Sequence, residues 1–195
     1  EFTPLRQKMG CVSFDIGGYY LIREQDTLTF IRCGKYKDRP AHADNLHMDI
    51  WSAGINVLRD SGSYKYNTEK KYQDYFMGTA SHNTVMVANH SQMLKGSRFI
   101  WYYWTQVISS KLIENESEFI FEGKISSFRF LNSKAYHRRS IVKKKNSKEW
   151  TVIDEIYGLN NLEKFQIWHH DENSVVFEGL ADCKEVDSKD WLSYN

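Results

Sequence analysis

Three side chains in this sequence have the types and the spacing of a metal site: His42, Asp60 and His82. Imidazole nitrogen and carboxylate oxygen are donors that Zn²⁺ takes, three or four protein ligands at a time. His42 stands at the start of a strand-like segment. Asp60 follows after the length of one hairpin out and back, and His82 opens a further strand. Neighbouring strands lie about 4.8 Å apart, so the ends of adjacent strands can bring such donors together. Spacing alone leaves two other readings open. In one, the three are unconnected surface or hydrogen-bonded residues. In the other, His42-Ala43-Asp44 with a distal His82 or His137 forms the facial triad of a non-haem iron oxygenase. The metal readings differ on whether Asp60 or Asp44 is the carboxylate ligand. The remaining histidines are weaker candidates. His47 alternates onto the polar side of its strand, to line a groove or to face water. His90 falls in a loop, and His169-His170 end a strand.

The elements that must position these residues read as strand after strand. Residues 19–23 and 28–32 alternate around Glu24-Gln25-Asp26, a hairpin signal. Residues 46–51 alternate again, Ser52-Ala53-Gly54 turns, 55–58 returns, and Asp60-Ser61-Gly62-Ser63 makes the next turn. Segments 84–88, 106–113, 118–125, 136–143, 150–156, 165–168 and 175–177 have strand length and β-branched or aromatic content. Only 68–77 reads as helical or irregular, which places any helix within 67–78. That segment is long for a hairpin loop, and long loops in compact domains often carry function. There is no βαβ rhythm. The expected fold is all-β, an antiparallel multi-stranded β-sandwich with minimal helix. The basic run from Lys143 to Lys148 is expected to be a solvated hairpin tip.

The composition excludes several classes. The 195 residues suffice for a single β-sheet domain with its own core. The 26 basic and 25 acidic residues lack the basic excess of a general nucleic-acid binder. No apolar run reaches membrane-spanning length. Cys11, Cys33 and Cys183 are odd in number and form no CxxC pair, so they read as ordinary buried or half-buried thiols. Aromatic residues make up 15% of the chain and sit beside basic ones, as in Arg98-Phe99-Ile100-Trp101-Tyr102. Aromatic faces stack on sugar rings, and Arg grips carboxylates and sulfates. The plainer reading of that segment is a strand whose rings pack a core. The chain opens on Glu1-Phe2, where a fragment boundary is expected.

Several short motifs, in order, resemble one family. Residues Arg39 to Trp51 look like the strand of heparinase II/III-like proteins that begins with an H-A-D element. Asp60-Ser61-Gly62-Ser63-Tyr64-Lys65-Tyr66 resembles its next turn, usually D-P-G-x-Y-x-Y. Tyr75-Phe76 leading to His82-Asn83-Thr84-Val85 resembles its aromatic pair and H-N-T-V element. Gln92-Met93, Gly96-Ser97-Arg98-Phe99, Val152-Ile153-Asp154-Glu155 and Trp168-His169 match later stretches. The resemblance covers about residues 15–180.

That resemblance implies a supersandwich-like β domain that follows an N-terminal helical toroid in the whole protein. On this reading the 195 residues lack the toroid. The closing Asp190-Trp191-Leu192-Ser193-Tyr194-Asn195 looks like the middle of a family motif, so the end of the β domain is expected to be missing too. The resemblance also implies β-elimination on uronic-acid polysaccharides. A base takes the C5 proton, an acid protonates the leaving O4, and the uronate carboxylate is neutralised by hydrogen bonds. Most of the residues for this come from the toroid, so the catalytic residues of this chain remain unknown. By motif, His42, Asp60 and His82 correspond to a structural zinc site. Arg39, Tyr75, Arg98 and Trp101 are the candidate glycan contacts. A periplasmic or secreted location is suggested by the resemblance alone. One departure bears on catalysis: members often carry a histidine two positions before the H-A-D element, and here Pro40 stands there. The alternative function is therefore a non-catalytic glycan-binding or structural domain.

Overall fold

The computed structural model describes residues 7–179. Strands β1 (Gly10–Phe14), β2 (Tyr19–Arg23), β3 (Thr27–Arg32), β4 (Met48–Ser52) and β5 (Ile55–Leu58) form one antiparallel sheet in sequential order. Helix α1 (Lys70–Met77) and a single 3₁₀ turn, Thr79–Ser81, follow. Then come β6 (Val85–Val87), β7 (Leu94–Lys95) and β8 (Trp101–Tyr102), the last two pairing with each other. The second large sheet is a meander of β9 (Gln106–Glu114), β10 (Glu118–Ser126), β11 (Tyr136–Lys144) and β12 (Trp150–Tyr157). Finally β13 (Lys164–Gln166) pairs antiparallel with β6.

The two large sheets face each other across the main core. Tyr20, Ile22, Ile31, Met48 and Ile50 of the first sheet meet Phe119, Phe121, Ile125 and Ile141 of the second. The cause is strict alternation. In β3 Thr27, Thr29 and Ile31 point inward, and in β10 Phe119, Phe121, Gly123 and Ile125 do. Each fully buried Ile or Phe contributes about 1.5–3 kcal/mol relative to exposure. Polar bonds also cross between the layers: Trp150 Nε1 donates to Thr29 Oγ1 at 2.9 Å, and the Tyr20 and Ser110 hydroxyls lie 2.7 Å apart. Gly18, at φ 69°, lets the start of β2 pass against Gly34, where an added Cβ would fall 2.1 Å from the Gly34 Cα.

The antiparallel β-sandwich with one short helix inside 67–78 is as expected. Three details differ. Residues 175–177 form no strand; Val175 and Phe177 instead pack half-buried on the main core, Phe177 beside the Trp168 ring. The aromatic segment around Trp101 is mostly loop, with the two-residue β7–β8 pair as its strand structure and the buried Trp101 ring as an anchor. The basic run after β11 is not wholly solvated, because β11 turns His137, Arg139, Ile141 and Lys143 inward. Lys143 is 0% exposed. Its ammonium bonds Glu24 Oε2 and the carbonyls of Lys144 and Ser147, so it joins the hairpin tip to the first sheet. Cys11 and Cys33 are free, half-buried and buried as expected; Cys183 lies outside the described residues. Among the described residues no helix is long and apolar enough to cross a membrane.

Candidate metal centre

The alternation that sends Met48 and Ile50 into the core sends His47 and Asp49 to the opposite face of the first sheet. There a concavity of about 290 Å³ collects His42, Asp44, Asp60 and His82 around them, with Tyr19, Phe30 and Arg32 as its further wall. The three residues singled out by spacing therefore do meet. Asp60 Oδ2 lies 2.5 Å from His82 Nδ1, and His42 Nδ1 lies 3.3 Å from His82 Nε2.

Local chain geometry explains the meeting. The turn Asp44-Asn45-Leu46-His47 closes with His47 N–H on the Asp44 carbonyl at 3.1 Å and holds Leu46 at φ 62°. A left-handed conformation is strained for leucine, by about 1 kcal/mol or more. It persists because the turn is clamped. Buried Asn45 accepts the Gly34 N–H at 2.8 Å and donates to Thr105 Oγ1 at 2.7 Å. Arg139 Nη1 reaches from β11 to the Leu46 carbonyl at 2.7 Å. The end of α1 is tied to the same segment: Ala43 N–H donates to the Met77 carbonyl at 2.9 Å, and Thr79 Oγ1 to the Ala43 carbonyl at 2.8 Å. This sets His82, just past the 3₁₀ turn, beside His42. The Asp60 loop joins through Ser61 N–H on the Ser81 carbonyl at 3.2 Å.

Asn83 is the hub beneath the cluster. Its side-chain amide donates to the carbonyls of Met48 and Arg59, at 2.9 and 3.1 Å, and its Oδ1 accepts the His169 N–H at 2.7 Å. Its own carbonyl accepts from Arg139 at 2.7 Å. Arg139 is in turn fixed by both oxygens of Asp154, which also holds His137 at 2.6 Å and Gln166 at 2.8 Å.

The electrostatics suit a cation. Burial pushes the Asp60 carboxyl up, but hydrogen bonds from His82 and the Gly62 N–H outweigh it, so Asp60 lies well below the usual carboxylate range. Burial and the adjacent His82 push the His42 imidazole below its ordinary value, which favours the neutral form that metal ligation requires. Burial also pushes His169 down, to about 4. Asp44 is engaged elsewhere: Arg32 Nε lies 2.8 Å from Oδ2 and the Tyr36 hydroxyl donates to Oδ1 at 2.8 Å. His137 is held by Asp154, so His82 is the distal histidine that stands beside His42, and an iron set of His42, Asp44 and His82 would have to displace Arg32 and Tyr36 from Asp44. Asp49 and Asp60 are then the two carboxylates of the concavity without an arginine or lysine partner among the described residues.

The donor set fits zinc in kind and partly in geometry. Tetrahedral Zn–N bonds of about 2.0–2.1 Å set two nitrogens ~3.3–3.4 Å apart, the separation of His42 Nδ1 and His82 Nε2. Asp60 stands on the other nitrogen of His82, so binding by all three needs a side-chain rearrangement. A second grouping also exists: ligand atoms of His47, Asp60 and His82 all lie within 4.8 Å of one another.

Of the two places that alternation left open to His47, a groove or water, the structure shows the groove. His47 is 3% exposed and lies inside the cluster. The available signal was its alternation in phase with Asp49. The candidate glycan residues are spread around the site. Burial and the nearby Asp60 raise the Tyr75 hydroxyl, and that hydroxyl is enclosed by the protein, so it is not presented to a ligand as expected. Arg39 lies over the Phe99 ring at 5.4 Å, and Phe99 stacks on Tyr66, which is 80% exposed. Arg98 is exposed, with φ 51°. Trp101 is 3% exposed and packs with Ala43, Met77 and Met93, so it offers no ring to a ligand, whereas Tyr66, Tyr102 and Tyr103 are exposed.

The fold and the cluster define an all-β sandwich module with an imidazole–carboxylate site on the outer face of one sheet. The Heparinase II/III-like, C-terminal family matches residues 6–189, and the chain belongs to that family. Among solved structures, the Heparinase III-BT4657 gene product aligns with TM-score 0.60 at 20% identity, over 77% of this chain and 22% of that one. Heparan sulfate lyase HepC from Pedobacter heparinus aligns with TM-score 0.59 at 18% identity, over 76% and 22% respectively. The chain thus spans about a fifth of the length of these proteins. No curated protein sequence matches it.

Proposed function

We propose that this chain is the β-sheet wall of a polysaccharide lyase that cleaves uronic-acid glycans by β-elimination, and that the wall is braced by one Zn²⁺ at His42, Asp60 and His82. The observation that carries the reading is the meeting of these three family-motif residues from three separate segments on one sheet face. Charge supports it. With Asp44 matched by Arg32, Asp49 and Asp60 leave the concavity with two negative charges, which would repel an acidic glycan. A bound divalent ion supplies the matching positive charge and cross-links the three segments.

This chain's own residues bind and orient. Arg39 and Arg98 offer guanidinium groups to carboxylate or sulfate, while the Tyr75 hydroxyl is buried and would serve only after a local rearrangement. The Phe99–Tyr66 stack beside Arg39 offers a sugar ring a flat apolar face. Pro40, buried where a histidine is common in the family, contributes no proton transfer. Acid and base must both lie within hydrogen-bond reach of the sugar, so the chain by itself is a non-catalytic wall that awaits a helical partner domain.

The test is incubation with heparan sulfate and alginate, reading the ultraviolet absorbance of the unsaturated uronate and, separately, binding. The chain alone is expected to give no product but to bind these glycans in a salt-sensitive way. Turnover by the isolated chain, abolished by changing one of its residues, would overturn the non-catalytic assignment. Failure to bind either glycan at low salt would overturn the glycan-wall assignment.

A further inference from the structure

We propose that His47 is a positioning residue for Asp60: a fixed Nε2–H aimed between the Asp60 and Asp49 carboxylates, close enough to steady Asp60 electrostatically, and not a metal ligand. Three observations carry this. First, the backbone N–H of Asn83 donates to His47 Nδ1 at 2.9 Å. A ring nitrogen that accepts has no proton, so in the neutral ring the proton sits on Nε2. Second, Nε2 is buried with no hydrogen-bond partner, as is Asp49 Oδ1. It lies 3.6 Å from Asp60 Oδ2 and 3.5 Å from Asp49 Oδ1, so the groups it faces are two carboxylates. Third, Asn83 cannot swing away. Its amide, its Oδ1 and its carbonyl are all bonded, to Met48, Arg59, His169 and Arg139.

The proximity of His47 to Asp60 and His82 makes it look like a third ligand. Ligation through Nε2 would require both ring nitrogens to be unprotonated, an imidazolate, while the Asn83 N–H still occupies Nδ1. His42 carries no such restriction: its Nδ1 faces His82 and its Nε2 lies 3.2 Å from the Ser63 hydroxyl, which can donate or accept. The two histidines five residues apart in one turn therefore have different tasks, His42 as ligand and His47 as support. Groups that hold metal ligands in orientation typically affect metal affinity about 10- to 100-fold. The role of His47 toward an ion rests on the zinc reading above; its donor state does not.

Two measurements separate these. Long-range ¹H–¹⁵N correlation spectra of the metal-free chain read the tautomer directly. The expected result is a His47 ring protonated at Nε2 and bare at Nδ1; a proton on Nδ1 overturns the proposal, whatever the metal does. Zinc titration with X-ray absorption then compares the chain with His47→Phe and His47→Gln. Expected for His47→Phe is one zinc at saturation, the same number of imidazole ligands, and affinity about 10- to 100-fold weaker. His47→Gln, which keeps an N–H near the Nε2 position, is expected to recover part of the loss. Loss of one imidazole from the coordination sphere in His47→Phe, or unchanged affinity, overturns the proposal. A wild-type chain that takes up no zinc would sink the zinc reading instead, and the tautomer would still decide for or against His47 as donor.

Discussion

Arg139 shows how a residue far in sequence from the cluster controls it. One guanidinium bonds both oxygens of Asp154 and the carbonyls of Leu46 and Asn83. It thereby fixes the strained turn that follows His42 and ends at His47, and the residue that follows His82. Burial pushes the Asp154 carboxyl up, but Arg139 outweighs it and the group is held far below its ordinary range. Arg139→Met should cost about 3–5 kcal/mol by leaving Asp154 buried with its strongest partner gone. Urea denaturation checks this, and a loss under 1 kcal/mol would show the network to be dispensable. At this scale the sequence was informative where motif order spoke. His42, Asp60 and His82 were legible because their order and spacing matched a family pattern. Arg139 was not, because its meaning depends on burial and a polar residue on an alternating strand reads as solvent-facing; for His47 the alternation left groove and water both open. β11 inverts that rule by turning His137, Arg139 and Lys143 to the core and matching each with a carboxylate.

Among the elements, the junction after α1 positions His82. Thr79 Oγ1 donates to the Ala43 carbonyl and accepts the Gln92 N–H at 2.9 Å, both buried. Thr79→Val keeps the shape and orphans both groups, so a loss of about 2 kcal/mol is expected in thermal or urea unfolding. The Lys143–Glu24 pair links the β11–β12 hairpin to the first sheet. Burial pushes Glu24 up, yet the Asn146 N–H and Lys143 outweigh it and the folded value lies below the ordinary one. A depressed carboxylate contributes its stability in full above the unfolded value, about 4.3, and loses it as pH falls through the folded value. Glu24→Gln should therefore cost about 3 kcal/mol near neutrality, by stranding a buried ammonium, and flatten the fall in stability at acid pH. An acid limb as steep as that of the wild type would contradict the assignment. The long meander and the first hairpins were readable from alternation. β1, β7 and β8 were not, since Gly10–Phe14 and the two-residue strands carry too little pattern. Residues 175–177 looked like a strand from apolar content alone, but apolar residues can bury without a ladder partner.

Taken whole, the molecule is a two-sheet sandwich with its apolar core between the sheets and the cluster on the outer face of the first. Removing zinc is thus expected to leave the sheets intact and to lower the unfolding temperature modestly, because an ion that binds only the folded state adds stability by mass action. Far-ultraviolet circular dichroism with and without chelator reads this; collapse of the β signal on chelation would show that the ion holds the fold itself. The central claim is that three family-motif residues form a zinc brace on a glycan-facing wall. Metal analysis of the purified chain by plasma mass spectrometry, beside His82→Ala, tests it most directly. The account expects one zinc per wild-type chain and none above background in His82→Ala; a wild-type chain without stoichiometric zinc, or one that retains iron in its place, would contradict it.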